Sequence, residues 1–116
     1  MTVKEVCEIL EAEVLCGEDR MSEEVHSACG SDMMSEVLAF SKDASVLLTG
    51  LCNQQSIRTA EMMDIKVIVY IRGKVPAEDV VEMAKERDLI VMTTKHRMFS
   101  SCGRLYKAGL SSNNID

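Results

Sequence analysis

The sequence is poor in the features that mark several large functional classes. It has no tryptophan, two phenylalanines and two tyrosines, so few side chains could stack on nucleic-acid bases. The formal net charge of −6 also opposes non-specific binding to nucleic acid. No apolar run approaches the roughly 20 residues that a membrane helix needs, and the N-terminus is acidic where a signal peptide would be basic. We therefore expect a cytoplasmic protein that binds neither nucleic acid nor a membrane.

Paired cysteines are also absent. The five cysteines are scattered singly, their number is odd and no C-x-x-C spacing occurs, which disfavours a disulfide framework. A soft metal would need paired thiolates or a Cys/His cluster, and His26 and His96 lie far from any such pair. We expect no metal and no other cofactor, and we interpret the cysteines as small buried apolar residues.

Most signature loops of enzymes are missing as well. The chain has no G-x-x-x-x-G-K-[ST], no G-x-G-x-x-G and no G-x-S-x-G motif. These loops cradle phosphates, bind dinucleotides and present a nucleophilic serine, respectively. Their absence argues against an NTPase, a dinucleotide-dependent enzyme and a serine hydrolase.

The most informative stretch that is present covers residues 46–74, VLLTGLCNQQSIRTAEMMDIKVIVYIRGK. Two short apolar runs, residues 46–48 and 67–71, flank a segment of helical composition. This pattern is typical of two parallel strands joined by a crossover helix. The stretch therefore predicts a βαβ unit, whose loops leave from the carboxyl ends of the strands, where open α/β sheets usually bind ligands.

Capping signals predict the helices around this unit. Thr2 followed by Glu5 forms a capping box before an amphipathic first helix. Asp32 and Thr94 are expected to cap two later helices, and Pro76 is expected at the first position of another.

Further short strands are predicted at residues 13–16, 25–29 and 89–92, with the first two at an edge of the sheet. The predicted fold is a single small α/β domain of residues 1–110, with a mostly parallel sheet of about four or five strands and helices on its faces. Residues 111–116 are expected to form a disordered C-terminal tail.

Basic and polar residues gather where the predicted parallel strands end. Residues 1–65 carry a net charge of −9 and residues 66–116 one of +3, which favours an anion in the second half. Arg72 and Lys74 are either anion ligands or surface charges that keep a turn soluble. His96 is interpreted as a solvated residue without a partner carboxylate. We expect an anionic small ligand, such as a phosphate compound, at the candidate residues Thr49, Asn53, Arg72, Lys74, Thr93, Thr94 and Lys95.

One catalytic spacing does occur. Cys52 and Arg58 reproduce C-x5-R-[ST], the pattern of thiol phosphatases and arsenate reductases, in which a thiolate attacks while the arginine holds the oxyanion. The intervening loop has no glycine to wrap an anion, and no Asp-Pro general acid exists. The alternative interpretation is a loop cysteine and a solvated helical arginine, with no catalysis.

The chain also resembles a known family. The order of GSDMMSEVLAF, LLTG with IRTAEMMDIKVIVYIRGKVPAEDVVEMAKE, IVMTTKHRMF and CGRLYKAGL resembles a stand-alone DRTGG domain over roughly residues 1–110. DRTGG domains are similar in fold to the N-terminal domain of HPr kinase. They occur as non-catalytic modules in phosphotransacetylases and beside CBS pairs in regulated pyrophosphatases, where they help dimerise.

The resemblance implies a regulatory or sensing module that forms a homodimer and, by analogy with nucleotide-sensing CBS pairs, binds a nucleotide. The family's name-giving residues are not kept. Leu51 and Cys52 stand in place of Asp-Arg, and residues 71–73 (IRG) stand in place of Thr-Gly-Gly. A purely structural protein-interaction module without a ligand remains a third interpretation. The pairs Met33-Met34 and Met62-Met63 are interpreted as core filler and as a flexible apolar contact surface.

Overall fold

Helices and strands alternate along most of the chain. The computed structural model describes residues 1–41 and 43–112. Within them the strands are β1 (Glu13–Cys16), β2 (Ala28–Gly30), β3 (Val46–Thr49), β4 (Val67–Tyr70) and β5 (Ile90–Thr93). The helices are α1 (Val3–Leu10), α2 (Met34–Phe40), α3 (Gln54–Met62), α4 (Glu78–Glu86) and α5 (Met98–Lys107), with a short 3-10 helix at Glu18–Arg20. The predicted βαβ unit is confirmed as β3, α3 and β4.

The five strands form one sheet in the order β1-β5-β4-β3-β2. Strands β2 to β5 are parallel, and β1 pairs antiparallel with β5. The expected single α/β domain with a mostly parallel sheet is thus confirmed. The two early strands lie at opposite edges rather than together, because β1 pairs with the last strand and β2 pairs with β3.

Helices cover both faces of the sheet because alternate strand side chains point in opposite directions. One core packs Leu47, Ile68 and Tyr70 against α2, α3 and α4. The other packs Leu48 and Val69 against α1 and α5. All five side chains are buried, and full burial of a residue of this size stabilises the fold by about 1.5–3 kcal/mol. The continuous apolar runs of the sequence follow from this burial on both faces.

The first helix begins as the sequence predicts. The Glu5 N–H donates to the Thr2 hydroxyl at 3.2 Å, and the Thr2 N–H donates to the Glu5 carboxylate at 2.9 Å, which completes the capping box. No other predicted helix start is confirmed. Helix α4 has Ala77 as its N-cap, so Pro76 lies outside the helix rather than at its first position.

The caps predicted at Asp32 and Thr94 are also wrong. Helix α2 has Met33 as its N-cap and α5 has Arg97, and neither cap uses a side-chain hydrogen bond. Both predicted residues bond to distant parts of the chain instead. The Thr94 hydroxyl donates to the Leu10 carbonyl at 2.6 Å, which ties the end of β5 to the end of α1. Asp32 turns towards the end of β3, as described below.

The second early strand is shorter than expected. It begins at Ala28 rather than at Val25, because the Val25 N–H donates to the Met1 carbonyl at 2.7 Å and the segment before β2 pairs with the N-terminus. The Ala28 N–H donates to the Ser111 carbonyl at 2.8 Å. Residues 113–116 of the predicted tail lie outside the described residues. None of the described helices is both long and apolar enough to cross a lipid bilayer.

Candidate functional site

The loops after β4 and β5 are joined by their backbones at the carboxyl edge of the sheet. The Arg72 N–H donates to the His96 carbonyl and the Gly73 N–H donates to the Thr94 carbonyl, both at 2.8 Å. The Thr93 hydroxyl donates to the Lys74 carbonyl at 2.6 Å. The Thr93 side chain and the Thr94 carbonyl therefore hold these loops together, a structural role that was not predicted from the sequence.

An open cleft of about 520 Å³ lies beside the joined loops, between β5 and the start of β1. Three of the predicted site residues line it, together with residues from the turn after α1, from β1 and from the two loops. The lining residues are Glu11, Ala12, Glu13, Gly73, Val75, Thr93, Thr94, Lys95 and His96. The structure thus brings Thr93, Thr94 and Lys95 together, with Lys74 between two lining residues.

Some of the charged side chains around this cleft form ion pairs within the described part of the chain, and others do not. His96 Nε2 lies 2.9 Å from Glu11 Oε1, so the prediction that His96 has no carboxylate partner is wrong, although its side chain is partly exposed to solvent. The hydrogen bond from His96 and the positive charge of Arg104 hold the pKa of Glu11 below its usual value. Lys74 and Lys95 are exposed, and their ammonium groups form no ion pair with the described residues. Two lysines therefore remain available to an anion at this edge.

Two other predicted residues, Thr49 and Arg72, belong to a separate cluster at the end of β3. Asp32 Oδ1 accepts hydrogen bonds from the Gly50 N–H at 2.6 Å and from the Thr49 hydroxyl at 3.2 Å. Asp32 Oδ2 lies 3.2 Å from Arg72 Nη1. The Gly50 N–H and the Arg72 guanidinium lower the pKa of Asp32, so it is ionised at neutral pH.

This cluster requires glycine at position 50. A Cβ atom there would overlap the guanidinium of Arg72. Arg72 itself has φ of +60°, a left-handed conformation that is uncommon for a residue other than glycine, and its own and its neighbour's backbone bonds hold it there. The conformation of the loop therefore places the Arg72 side chain over the end of β3.

Asn53 is separate from both groups. It is the N-cap of α3, where its side-chain oxygen accepts the Ser56 N–H at 3.2 Å. This bond satisfies one of the free N–H groups of the first helical turn. The predicted site residue thus has a structural role that its position before a helix already indicated.

The C-x5-R spacing gains no support from the geometry. Burial raises the pKa of the Cys52 thiol to about 11, opposite to the shift that an attacking thiolate needs. Arg58 is exposed, and its Nη2 donates to Gln54 Oε1 at 3.1 Å, one turn earlier on α3. Arg58 is therefore the solvated helical side chain of the second interpretation. No group of three or more potential ligands that could hold a metal occurs in residues 1–41 and 43–112.

The acidic residues at this edge of the sheet, Asp32, Glu11 and Glu13, were not predicted from the sequence to lie near the site. The position of Asp32 just before a helix predicted a helix cap, not a bond to the end of β3. Glu11 and Glu13 carried no local signal, because they reach the cleft through a strand pairing with residues about 80 positions later in the chain. Only the antiparallel addition of β1 next to β5 brings them there.

Comparison with known proteins agrees with this fold. A structure of the CBS and DRTGG domains of the regulatory region of Clostridium perfringens pyrophosphatase, complexed with its activator diadenosine tetraphosphate, matches with a TM-score of 0.73 and 17% identity. The match covers 97% of this chain and 48% of that chain, so this chain spans about half its length. No curated protein matches. The family model for the DRTGG domain matches residues 5–108. The chain therefore belongs to the DRTGG domain family.

Proposed function

We propose that the chain is a non-catalytic regulatory module that binds an anionic small ligand, a nucleotide, at the carboxyl edge of the sheet, and that it acts as a homodimer. The observation that carries the ligand proposal is the pairing of an open cleft with unpaired lysines. Lys95 lines a cleft of about 520 Å³, and Lys74 lies in the chain between two lining residues, Gly73 and Val75. A cleft of this volume is large enough for a small ligand.

The chemistry of the cleft suits a phosphorylated ligand with an apolar part. Lys95 and the nearby Lys74 provide positive charge for the phosphate, and Val75 and Ala12 provide apolar surface. The lining also carries the carboxylates of Glu11 and Glu13, of which Glu11 already bonds to His96. Arg72 lies on the same loop, towards β3, and presents a planar guanidinium that can bind two phosphate oxygens at once. A ligand that bridges Arg72, Lys74 and Lys95 would account for the concentration of cations at this edge of an acidic chain.

The family supports the same proposal. The matched regulatory region of the pyrophosphatase is bound to a dinucleoside polyphosphate activator. By analogy, this domain would sense such a compound and pass the signal to a partner.

A thermal-shift screen tests the ligand proposal. We expect adenine or guanine nucleotides, cyclic dinucleotides, acetyl phosphate or diadenosine tetraphosphate to raise the melting temperature. A ligand at about a hundred times its dissociation constant stabilises by about 2.7 kcal/mol. For a domain near 100 residues this corresponds to a shift on the order of 10 °C. Arg72→Ala/Lys74→Ala should abolish the shift, because it removes two of the cations that would contact the phosphate.

Lys66→Ala is the matched control for the loss of the Lys74 charge in the double variant. Both lysines are exposed, and they lie just before and just after the same strand, β4, at opposite ends of the sheet. Lys66→Ala should leave the shift unchanged. The absence of a shift with every compound, or an equal shift in the double variant, would contradict the proposed site and favour the protein-interaction interpretation.

The dimer is proposed from the surface of α5. Phe99 is 91% exposed and Tyr106 is 67% exposed. Their spacing of seven residues places them on the same face of the helix, about two turns apart. Gly103 lies between them with open space where its side chain would be. This glycine allows another backbone to approach closely, which favours a helix from a second copy of the chain.

A further inference from the structure

The carboxylate of Asp32 occupies a small anion-binding pocket formed by other parts of the chain. Three groups converge on it: the backbone N–H of Gly50, the hydroxyl of Thr49 and the guanidinium of Arg72. A backbone N–H at a strand end, a threonine hydroxyl and an arginine are donors that bind phosphate oxygens as well as carboxylates. Asp32 therefore stands where an anionic group of a ligand would bind.

Asp32 is placed there at the expense of its usual local role. An aspartate just before a helix normally accepts N–H groups of the first turn. Helix α2 has no side-chain cap, because Asp32 instead bonds to Gly50, 18 residues later, and to Arg72, 40 residues later. These bonds link the start of α2 to the loops after β3 and β4.

The contact is also open to exchange. The side chain of Asp32 is 46% exposed and that of Arg72 is 40% exposed, so a solute can reach both partners. An ion pair at this exposure contributes little to stability. A ligand phosphate that carries more charge and offers more acceptor oxygens can therefore displace the carboxylate.

We propose that Asp32 is an internal competitor of the ligand, and that the ligand's phosphate replaces it on Gly50 and Arg72. This inference rests on the proposed function, since it concerns the same ligand. Its consequence is a route for the signal. Displacement frees Asp32 and the turn before α2, where Met33 is already exposed, so ligand binding at the sheet edge changes the start of a surface helix.

Titration calorimetry with ATP and with inorganic pyrophosphate tests the competition. Asp32→Asn removes the negative charge while keeping the shape of the side chain. We expect it to tighten binding of both probes about tenfold, which corresponds to about 1.4 kcal/mol. Adding Arg72→Ala to this variant should remove the gain, because the arginine is the group that Asp32 occupies.

Glu36→Gln is the matched control. It removes one negative charge from the first turn of α2, and the Glu36 side chain has no hydrogen bond to the described residues. We expect it to change affinity less than twofold. Equal affinities of the Asp32→Asn and Glu36→Gln variants, with wild-type binding that still depends on Arg72 and Lys74, would overturn the competition and leave the proposed function standing. If neither the wild type nor Asp32→Asn binds the probes, the competition and the proposed function are both overturned.

Hydrogen exchange on the wild-type protein provides an independent measurement if Asp32→Asn does not fold. Saturating ATP should accelerate exchange of backbone amides in residues 31–36, because the Asp32 contacts that hold this turn are lost. Residues 82–86, at the end of α4 and outside the cleft lining, serve as the internal reference. Unchanged or slower exchange in residues 31–36 with ATP bound would overturn the inference.

Discussion

At the scale of single residues, surroundings decide the chemistry of Cys52. Its spacing to Arg58 matches a phosphatase pattern, but the thiol is partly buried beside Leu51 and the core under α3. Burial disfavours the thiolate more than the positive charges of Lys74 and Arg72 favour it, so the pKa rises to about 11. A thiol with this pKa is almost entirely protonated at neutral pH.

This predicts slow alkylation of Cys52. At pH 7.5 the thiolate fraction should be about a hundredfold lower in the folded protein than in the protein unfolded in urea, because alkylation requires the thiolate. The measurement is iodoacetamide labelling followed by mass spectrometry of the peptide that contains Cys52. The unfolded sample is the control for intrinsic reactivity. Faster labelling in the folded protein would indicate a lowered pKa and would revive the enzyme interpretation.

Enzyme assays test directly whether Cys52 is catalytic. The purified protein is expected neither to hydrolyse an aryl phosphate nor to reduce arsenate, because burial keeps the Cys52 thiol protonated despite the nearby Lys74 and Arg72, and Arg58 is turned to solvent. Turnover that disappears in Cys52→Ser would contradict the non-catalytic proposal.

At the scale of elements, the start of α3 separates structural from binding roles. Asn53 was grouped with the ligand-binding candidates because it follows β3, yet its side chain caps α3. The Ser56 hydroxyl adds a bond of 2.7 Å to the Asn53 carbonyl and one of 2.7 Å to the buried Tyr70 hydroxyl. The turn between β3 and α3 is therefore held mainly by bonds within the protein.

Asn53→Ala should lower the free energy of unfolding by about 1 kcal/mol, because the N–H of Ser56 loses its partner. Asn53→Asp should restore most of it, since aspartate caps equally well and its charge suits a helix start. Urea denaturation of the three proteins provides the measurement. Nucleotide affinity should not change in Asn53→Ala. If Asn53→Ala loses more nucleotide affinity than its loss of stability explains, Asn53 contacts the ligand after all.

At the scale of the whole molecule, one face carries the exposed rings of Phe99 and Tyr106 and complementary charge. Helices α1 and α5 lie side by side on this face. The exposed side of α1 carries Glu5 and Glu8, whereas α5 carries Arg104 and Lys107. A two-fold axis parallel to the helices would place α5 of each copy over α1 of the other, which pairs opposite charges twice.

Light scattering at micromolar concentration should therefore give about twice the chain mass of 12.9 kDa. Phe99→Ala/Tyr106→Ala should shift the protein to monomer, because a stable interface needs about 800 Å² per partner and these are the largest exposed side chains on α5. Met33→Ala/Met62→Ala tests the opposite face, where both methionines are exposed. A monomeric wild type would reject the dimer, and a monomer only in the methionine variant would move the interface to that face.

The amino-acid pattern by itself determined the fold class and the central unit. Apolar runs of three and five residues, a helical segment between them and the Thr2 capping box are local signals, and each acts within a few residues of its position. The same local character explains why the loops after β4 and β5 could be predicted as the site of basic residues. It also explains the errors at Asp32 and Thr94, where a local rule competed with a distant partner.

Only the tertiary structure decided how those residues are used. The position of β1 beside β5 brought Glu11 to His96, and the packing of the loop after β4 over Gly50 brought Arg72 to Asp32. These pairs are separated by 85 and 40 residues, and a carboxylate takes whichever donor the assembled sheet presents. The sequence placed the cations at one edge of the sheet. The fold decided which of them are already paired and which remain open to a ligand.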